Sequence, residues 1–195
     1  MRRAVKDPAS AIITGNLNYI SNNSTNNKRI VDILLGDQKM FCAYTDEYIS
    51  RSDAKDIEHF NPTLKDTDQD SYYNWFVVKH QWNMEKSEKW DKFQPVLHPT
   101  ALAFEERIVY IQGDYVVKRK DDIEAKNLSD LLKLDDIHLA NNRKKYIARK
   151  RDEIALDGNG IYDFFATLMN ADPCQIKYTR AIKEEFGIDI LEMIN

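Results

Sequence analysis

The sequence predicts an α+β fold, in which a short strand-rich segment lies between helices and a β-hairpin precedes a helical C-terminal half. Residues 28–40 carry Ile30, Ile33 and Leu34 at helical spacing. Residues 107–120 alternate apolar and polar side chains around Gly113 and Asp114, which is a strong hairpin signal. The leucines between positions 128 and 134 recur at helical spacing, so we expect helices from there onward.

Composition describes a soluble globular protein, since 43% of the 195 residues are hydrophobic and 31% are charged. That length allows one domain with a core or two small ones. No apolar stretch approaches the length of a membrane span, and the N-terminus lacks the apolar core of a secretory signal. Cys42 and Cys174 lie too far apart to indicate a disulfide framework. We therefore expect a cytoplasmic protein with no membrane partner.

The formal net charge of −4 argues mildly against a nucleic-acid partner, because such binding depends largely on phosphate neutralisation. One local cluster of basic residues favours nucleic-acid binding instead. It comprises Arg143, Lys144, Lys145, Arg149, Lys150 and Arg151. These residues are candidates for nucleic-acid contact, but a solvated helix face is an equally good interpretation.

We divide the chain into an N-terminal helical segment (1–40), a central unit (41–100) and a hairpin with C-terminal helices (101–195). Residues 21–27 are expected to form a loop, and Gly36 to end the helix over 28–40. In the central unit the predicted order is a strand over 41–50, a second strand over 56–60, a long irregular connection, and a helix from about residue 79.

The C-terminal helices are predicted over residues 139–154, 161–169 and 174–186, after the leucine-rich helix. Asp172 and Pro173 look like the N-cap and first residue of the last of these helices. Gly187 is expected to end it.

Five polar residues of the central unit form a pattern suited to phosphodiester hydrolysis, which needs a base for water and a cation for the developing charge. His59 is the candidate base, and Glu58 with Asn83 could supply oxygen ligands to a divalent cation. Asn74 could fix the His59 ring, and Lys86 could meet a phosphate from the same helix face as Asn83. Neighbouring strand residues point to opposite faces, so Glu58 and His59 share a cleft only where the strand twists or ends.

The segments CAYT, DIEHFNPT and YYNWFVVKHQWNMEK resemble the core of HNH (ββα-metal) nucleases. His59, Asn74 and Asn83 match the three motif residues in order, and Lys86 matches the lysine that ends the motif. The wider chain is similar to HNH proteins of the PtuB type, which accompany an ATPase in Septu and some retron anti-phage systems. This likeness covers about residues 1–151, including MRRAVK, HPTALAFEERIVYIQGDYV and LLKLDDIHLANNR.

The chain departs from that pattern at the structural zinc, which paired Cys-x-x-Cys elements bind in such relatives. Cys42 remains, but Thr45, Lys79 and Trp82 occupy the other three positions. One thiolate cannot hold a tetrahedral zinc, so we predict none. The expected substitute is packing of the aromatic residues Phe41, Tyr44, Trp75, Phe76 and Trp82.

The resemblance implies a metal-dependent endonuclease that acts on DNA, with RNA not excluded, and that uses a single Mg²⁺ or Mn²⁺. It also implies anti-phage defence and a complex with an ABC-type ATPase of the PtuA kind, docked on the helical C-terminal half. The first alternative is a non-catalytic binding subunit built on an HNH scaffold, which the lost zinc positions and acidic balance favour. The second is an unrelated α+β domain.

Overall fold

The computed structural model describes residues 1–86 and 89–194, and it contains both helices and antiparallel strand pairs, as an α+β fold requires. The helices and strands are as follows: α1 (Ala11–Thr14), α2 (Ser24–Asp37), β1 (Lys55–His59), β2 (Trp75–Lys79), α3 (His80–Lys86), α4 (Phe104–Arg107), β3 (Ile108–Ile111), β4 (Asp114–Val117), α5 (Ile123–Leu132), α6 (Ile137–Asp157), α7 (Ile161–Ala171) and α8 (Thr179–Phe186). No helix in the described ranges combines the length and apolar character needed to cross a bilayer.

The central unit is a strand, a long loop, a second strand and a helix. β1 pairs antiparallel with β2, with His59 opposite Trp75, and α3 follows β2 directly. The prediction of a strand over 41–50 was wrong, because that segment is a series of turns with two isolated bridges, one between Phe41 and Tyr48 and one from Glu47 to Lys177. The second strand instead comes from the predicted irregular connection, whose residues 75–78 are all buried and therefore show no alternation.

The N-terminal helix begins and ends differently from the prediction. Residues 24–27 belong to α2 rather than to a loop, because the Asn23 side chain caps the helix by accepting from the backbone N–H of Asn26 at 3.1 Å. Gly36 lies inside the helix, and Gln38 is its C-cap.

The predicted hairpin is present as β3 and β4, but its turn lies one residue earlier than expected. Gln112 and Gly113 have φ of 46° and 93°, the positive values that a tight hairpin turn requires. The predicted helix over 174–186 is shorter: a 3-10 turn (Pro173–Gln175) and a bridge from Lys177 to Glu47 precede α8. Gly187 ends α8 as expected, with φ of 71°.

Buried apolar residues form two clusters. The first surrounds the β1–β2 pair with α2 and α5, and the second lies among α6, α7 and α8. The turns of residues 41–50 connect them, since Phe41 packs in the second cluster and Asp46 is buried between the two. The Asp46 carboxylate accepts from Thr179 Oγ1 at 2.6 Å and from the Arg180 backbone N–H at 2.8 Å. The C-terminal segment is therefore fixed directly to the loop that precedes β1.

Candidate functional site

His59 is the last residue of β1, and its ring is enclosed by aromatic side chains. Its exposed fraction is 6%, and the Tyr19 ring lies 4.6 Å away, nearly perpendicular to it. Nε2 lies 3.0 Å from Asp70 Oδ2, but this nitrogen has no aligned hydrogen-bond partner among the described residues. The Asp70 carboxylate is therefore close enough for an ion pair with His59, but it is not aligned for a hydrogen bond with Nε2.

Burial sets the charge state of this histidine. Loss of solvent lowers the pKa of His59 below its usual value, the Asp70 carboxylate opposes that shift, and Lys65 adds to it. The imidazole is therefore mainly neutral at pH 7. A neutral imidazole can accept a proton, which is the property a general base needs.

Asp70 is the residue that the sequence reasoning missed. Its Oδ1 accepts from Asn74 Nδ2 at 2.9 Å and from Trp75 Nε1 at 2.7 Å, while Oδ2 faces His59. The expected direct contact between Asn74 and His59 is replaced by this indirect one, because Asn74 precedes β2 and its side chain turns into the loop. There Asn74 also bonds both backbone groups of Asn61, at 2.8 and 3.1 Å.

Glu58 lies on the other face of β1, where its carboxylate is 3% exposed. Glu58 Oε1 forms a buried ion pair with the Lys86 ammonium and also accepts from Tyr44 Oη at 3.0 Å. Lys86, which is 2% exposed, also donates to the His59 carbonyl at 3.1 Å. Burial raises the pKa of Glu58, with Lys86 opposing the shift, and burial lowers the pKa of Lys86. Lys86 is therefore an internal counter-ion, not an accessible phosphate contact as predicted.

Asn83 lies on α3 beside a different carboxylate. Its Nδ2 donates to Asp56 Oδ2 at 2.9 Å, and His80 Nδ1 lies 2.8 Å from the same oxygen. Asp56 and Glu58 are two residues apart on β1 and so share a face of the strand, where each meets a different side chain of α3. Glu58 and Asn83 therefore contact different partners, Lys86 and Asp56 respectively.

The two predicted metal ligands do not fit a shared divalent cation in this arrangement. The place beside Glu58 Oε1 is taken by the Lys86 ammonium, and Asn83 is engaged with Asp56. Across the described ranges, no three His, Cys, Asp or Glu side chains are grouped as a metal site.

The positions at which the resemblance expects zinc-binding cysteines are linked by other contacts. The Lys79 backbone N–H donates to Cys42 Sγ at 3.4 Å, and Lys79 Nζ lies 2.9 Å from Glu47 Oε2. Of the aromatic residues expected to replace the zinc, Tyr44, Trp75 and Phe76 are buried in the first cluster, with Trp82 partly buried against it. Phe41 packs in the second cluster instead.

The basic residues of α6 do not form one free cationic surface. Arg143 and Lys150 are buried, which makes them structural residues instead of the predicted nucleic-acid contacts. Arg143 donates to the Gly113 carbonyl at 2.6 Å and stacks on Tyr115. Ion pairs to acidic side chains occupy Lys144, Arg149, Lys150 and Arg151. Lys145 is exposed and has no ion pair within the described part of the chain.

An open cleft of about 460 Å³ lies next to the three residues that surround the His59 ring, Tyr19, Asp70 and Trp75. Its walls include Tyr19, Trp75 and three aspartates of the loop between the strands, namely Asp66, Asp68 and Asp70. Lys65, on the same loop, lies 5.4 Å from the Tyr19 ring. The cleft therefore has an acidic wall, with one exposed lysine at its edge.

Comparison with known proteins found no matching family model, no similar curated protein and no similar solved structure.

Proposed function

We propose that this chain is the endonuclease subunit of HNH type that the sequence resemblance implies, with His59 as the base that deprotonates the attacking water. The observation that carries the proposal is the His59–Asp70 pair at the end of β1. It combines a buried, mainly neutral imidazole with a carboxylate 3.0 Å from one ring nitrogen. A base of this kind can deprotonate the water that attacks a phosphodiester at neutral pH.

In this proposal the Asp70 carboxylate favours the form of neutral His59 that carries its proton on Nε2, which leaves Nδ1 as the proton acceptor. Once His59 is protonated, the Asp70 carboxylate stabilises the imidazolium across the same contact. Asn74 and Trp75 hold Asp70 by their two hydrogen bonds to Oδ1. Asp70 and Asn74 are therefore positioning residues that act through His59.

The resemblance supplies the rest of the proposal: DNA as the substrate, with RNA as the alternative, a Mg²⁺ or Mn²⁺ requirement, and an ABC-type ATPase partner. Since Glu58 and Asn83 do not fit one cation as they stand, we assign no step to it. The acidic wall of the cleft repels a phosphate, so Lys65 is the candidate for contact with the substrate backbone.

A second candidate function is a non-catalytic subunit built on the same scaffold. The buried Glu58–Lys86 ion pair favours it, because the Lys86 ammonium lies beside the carboxylate to which the resemblance assigns a metal. The Tyr19 ring, which covers His59, favours it as well.

Cleavage of supercoiled plasmid and of a structured RNA separates the two candidates. The wild type would be compared with His59→Ala in Mg²⁺, Mn²⁺ and EDTA, each at several protein concentrations. His98→Ala is the matched control, since burial lowers the pKa of His98 as well, but His98 is only partly buried and contacts Phe60 and Phe76. Metal-dependent cutting lost only in His59→Ala supports the nuclease. Folded proteins that cut neither substrate in any condition support the non-catalytic subunit.

A further inference from the structure

A second cavity, of about 230 Å³, lies between the N-terminal segment, α2 and β2. Its walls are mainly apolar and include Leu34, Phe76 and Leu191. It shares no lining residue with the cleft beside His59. It is therefore a separate cavity from the cleft beside the proposed base.

Lys6 supplies an unusual amine to this cavity. Its Nζ lies 4.0 Å from the centre of the Phe76 ring and 4.4 Å from that of Tyr72, and it donates to the Trp75 carbonyl. In the described part of the chain no carboxylate lies within 4.0 Å of this nitrogen. Lys6 thus has ring faces and one carbonyl as its neighbours, and within the described part of the chain the nearby Asp37 carboxylate does not form an ion pair with it.

The other charged residues of the cavity wall are already engaged. Arg2 pairs with Asp46 at 3.0 Å, and Lys39 donates to the Ile194 carbonyl at 3.2 Å. The Asp37 carboxylate accepts from Ser10 Oγ at 2.7 Å and from Tyr72 Oη at 2.8 Å. Lys6 and Lys39 therefore both lack an ion pair within the described part of the chain, and of these two cations it is Lys6 whose ammonium lies against ring faces.

Burial lowers the pKa of Lys6 to about 7, although the nearby Asp37 opposes the shift. About half of the Lys6 amines are neutral at pH 7, where an ordinary lysine is almost fully charged. An anion brought against this amine would restore its charge, because a paired ammonium is far less costly to bury than an isolated one.

We propose that the cavity binds a small apolar monocarboxylate, whose carboxylate pairs with Lys6 and whose hydrocarbon or aromatic body packs on Leu34, Phe76 and Leu191. The apolar walls select the body of the ligand, and the missing counter-ion selects its head group. A single negative charge is favoured because Asp37 repels a second one. The volume limits the body to about the size of one ring.

Isothermal titration calorimetry with phenylacetate and with its uncharged analogue phenylacetamide tests this inference. We expect the acid to bind the wild type at least tenfold more tightly than the amide. Titrations at pH 7.5 in buffers of different ionisation enthalpy should show uptake of roughly three quarters of a proton with the acid and none with the amide.

Two variants and one further anion complete the test. Lys6→Met keeps the apolar stem, so it should lose both the preference for the acid and the proton uptake, while Lys39→Met should keep both. Equal binding of acid and amide by the wild type, or no binding of either, overturns the proposal. Inorganic phosphate that binds as tightly as phenylacetate also overturns it, because the apolar walls would then contribute nothing. If Lys6→Met does not fold, proton uptake by the wild type still decides.

Discussion

Replacing Lys86 by methionine should be among the most destabilising single changes in the central unit. Lys86→Met removes the ammonium but leaves Glu58, 3% exposed, with Tyr44 Oη as its remaining described donor. Breaking a buried ion pair from one side costs about 3–5 kcal/mol. For a chain of 195 residues that corresponds to a fall in melting temperature of about 6–20 °C, at about 2–4 °C per kcal/mol.

Urea unfolding followed by tryptophan fluorescence measures this loss, with Glu58→Gln and the double variant completing a thermodynamic cycle. The double variant, which leaves no unpaired charge, should recover at least half of the loss from Lys86→Met. In Lys86→Met nothing from Lys86 opposes the rise in the pKa of Glu58, so the native state takes up a proton more readily. The loss of unfolding free energy relative to the wild type should therefore be smaller at pH 5 than at pH 8. A cost below about 1 kcal/mol with no coupling would refute the buried pair.

Three further predictions concern other parts of the fold. Because burial lowers the pKa of His59, its NMR titration should have a midpoint below about 6.5. The free energy of unfolding should fall as the pH drops from about 6.5 towards that midpoint. A higher midpoint would contradict the burial of the ring. Gly113→Ala should lower the free energy of unfolding by about 1–2 kcal/mol, since φ is 93° and a Cβ would lie 2.5 Å from Lys144 Cγ. Gly36→Ala, inside α2, should instead raise it by about 0.5–1 kcal/mol, and urea unfolding measures both. Arg143→Met should cost about 2–3 kcal/mol by the same assay, while Lys145→Met should change stability by less than about 0.5 kcal/mol; equal effects would mean that Arg143 is not a buried anchor.

The elements with clear periodicity were predicted well from the sequence. The β3–β4 hairpin alternates around a glycine that adopts positive φ, and both central helices of the C-terminal half, α5 and α6, carry apolar residues at helical spacing. β2 was missed because burial on both faces removes the alternation that marks a half-buried strand. Residues 41–50 were mistaken for a strand because their buried side chains belong to turns that join two cores.

Candidate site residues could be named from the sequence, but the contacts among them could not. Alternation along β1 already placed Glu58 and His59 on opposite faces, and the structure keeps them apart. Asp70 could not be chosen from its loop by sequence alone, since Asp66 and Asp68 are chemically identical neighbours. Only the pairing of His59 with Trp75 brings the end of that loop to the ring. Which carboxylate meets the histidine is thus decided by tertiary structure.

The central claim, that His59 is the base of a nuclease, is tested most directly by the pH dependence of single-turnover cleavage of a plasmid or structured RNA. If His59 is the base, the rate should rise with pH through a pKa below about 6.5, fall at least 100-fold in His59→Ala, and show a shifted pH profile in Asp70→Asn. Cleavage by folded His59→Ala at the wild-type rate, with an unchanged pH profile, would contradict it.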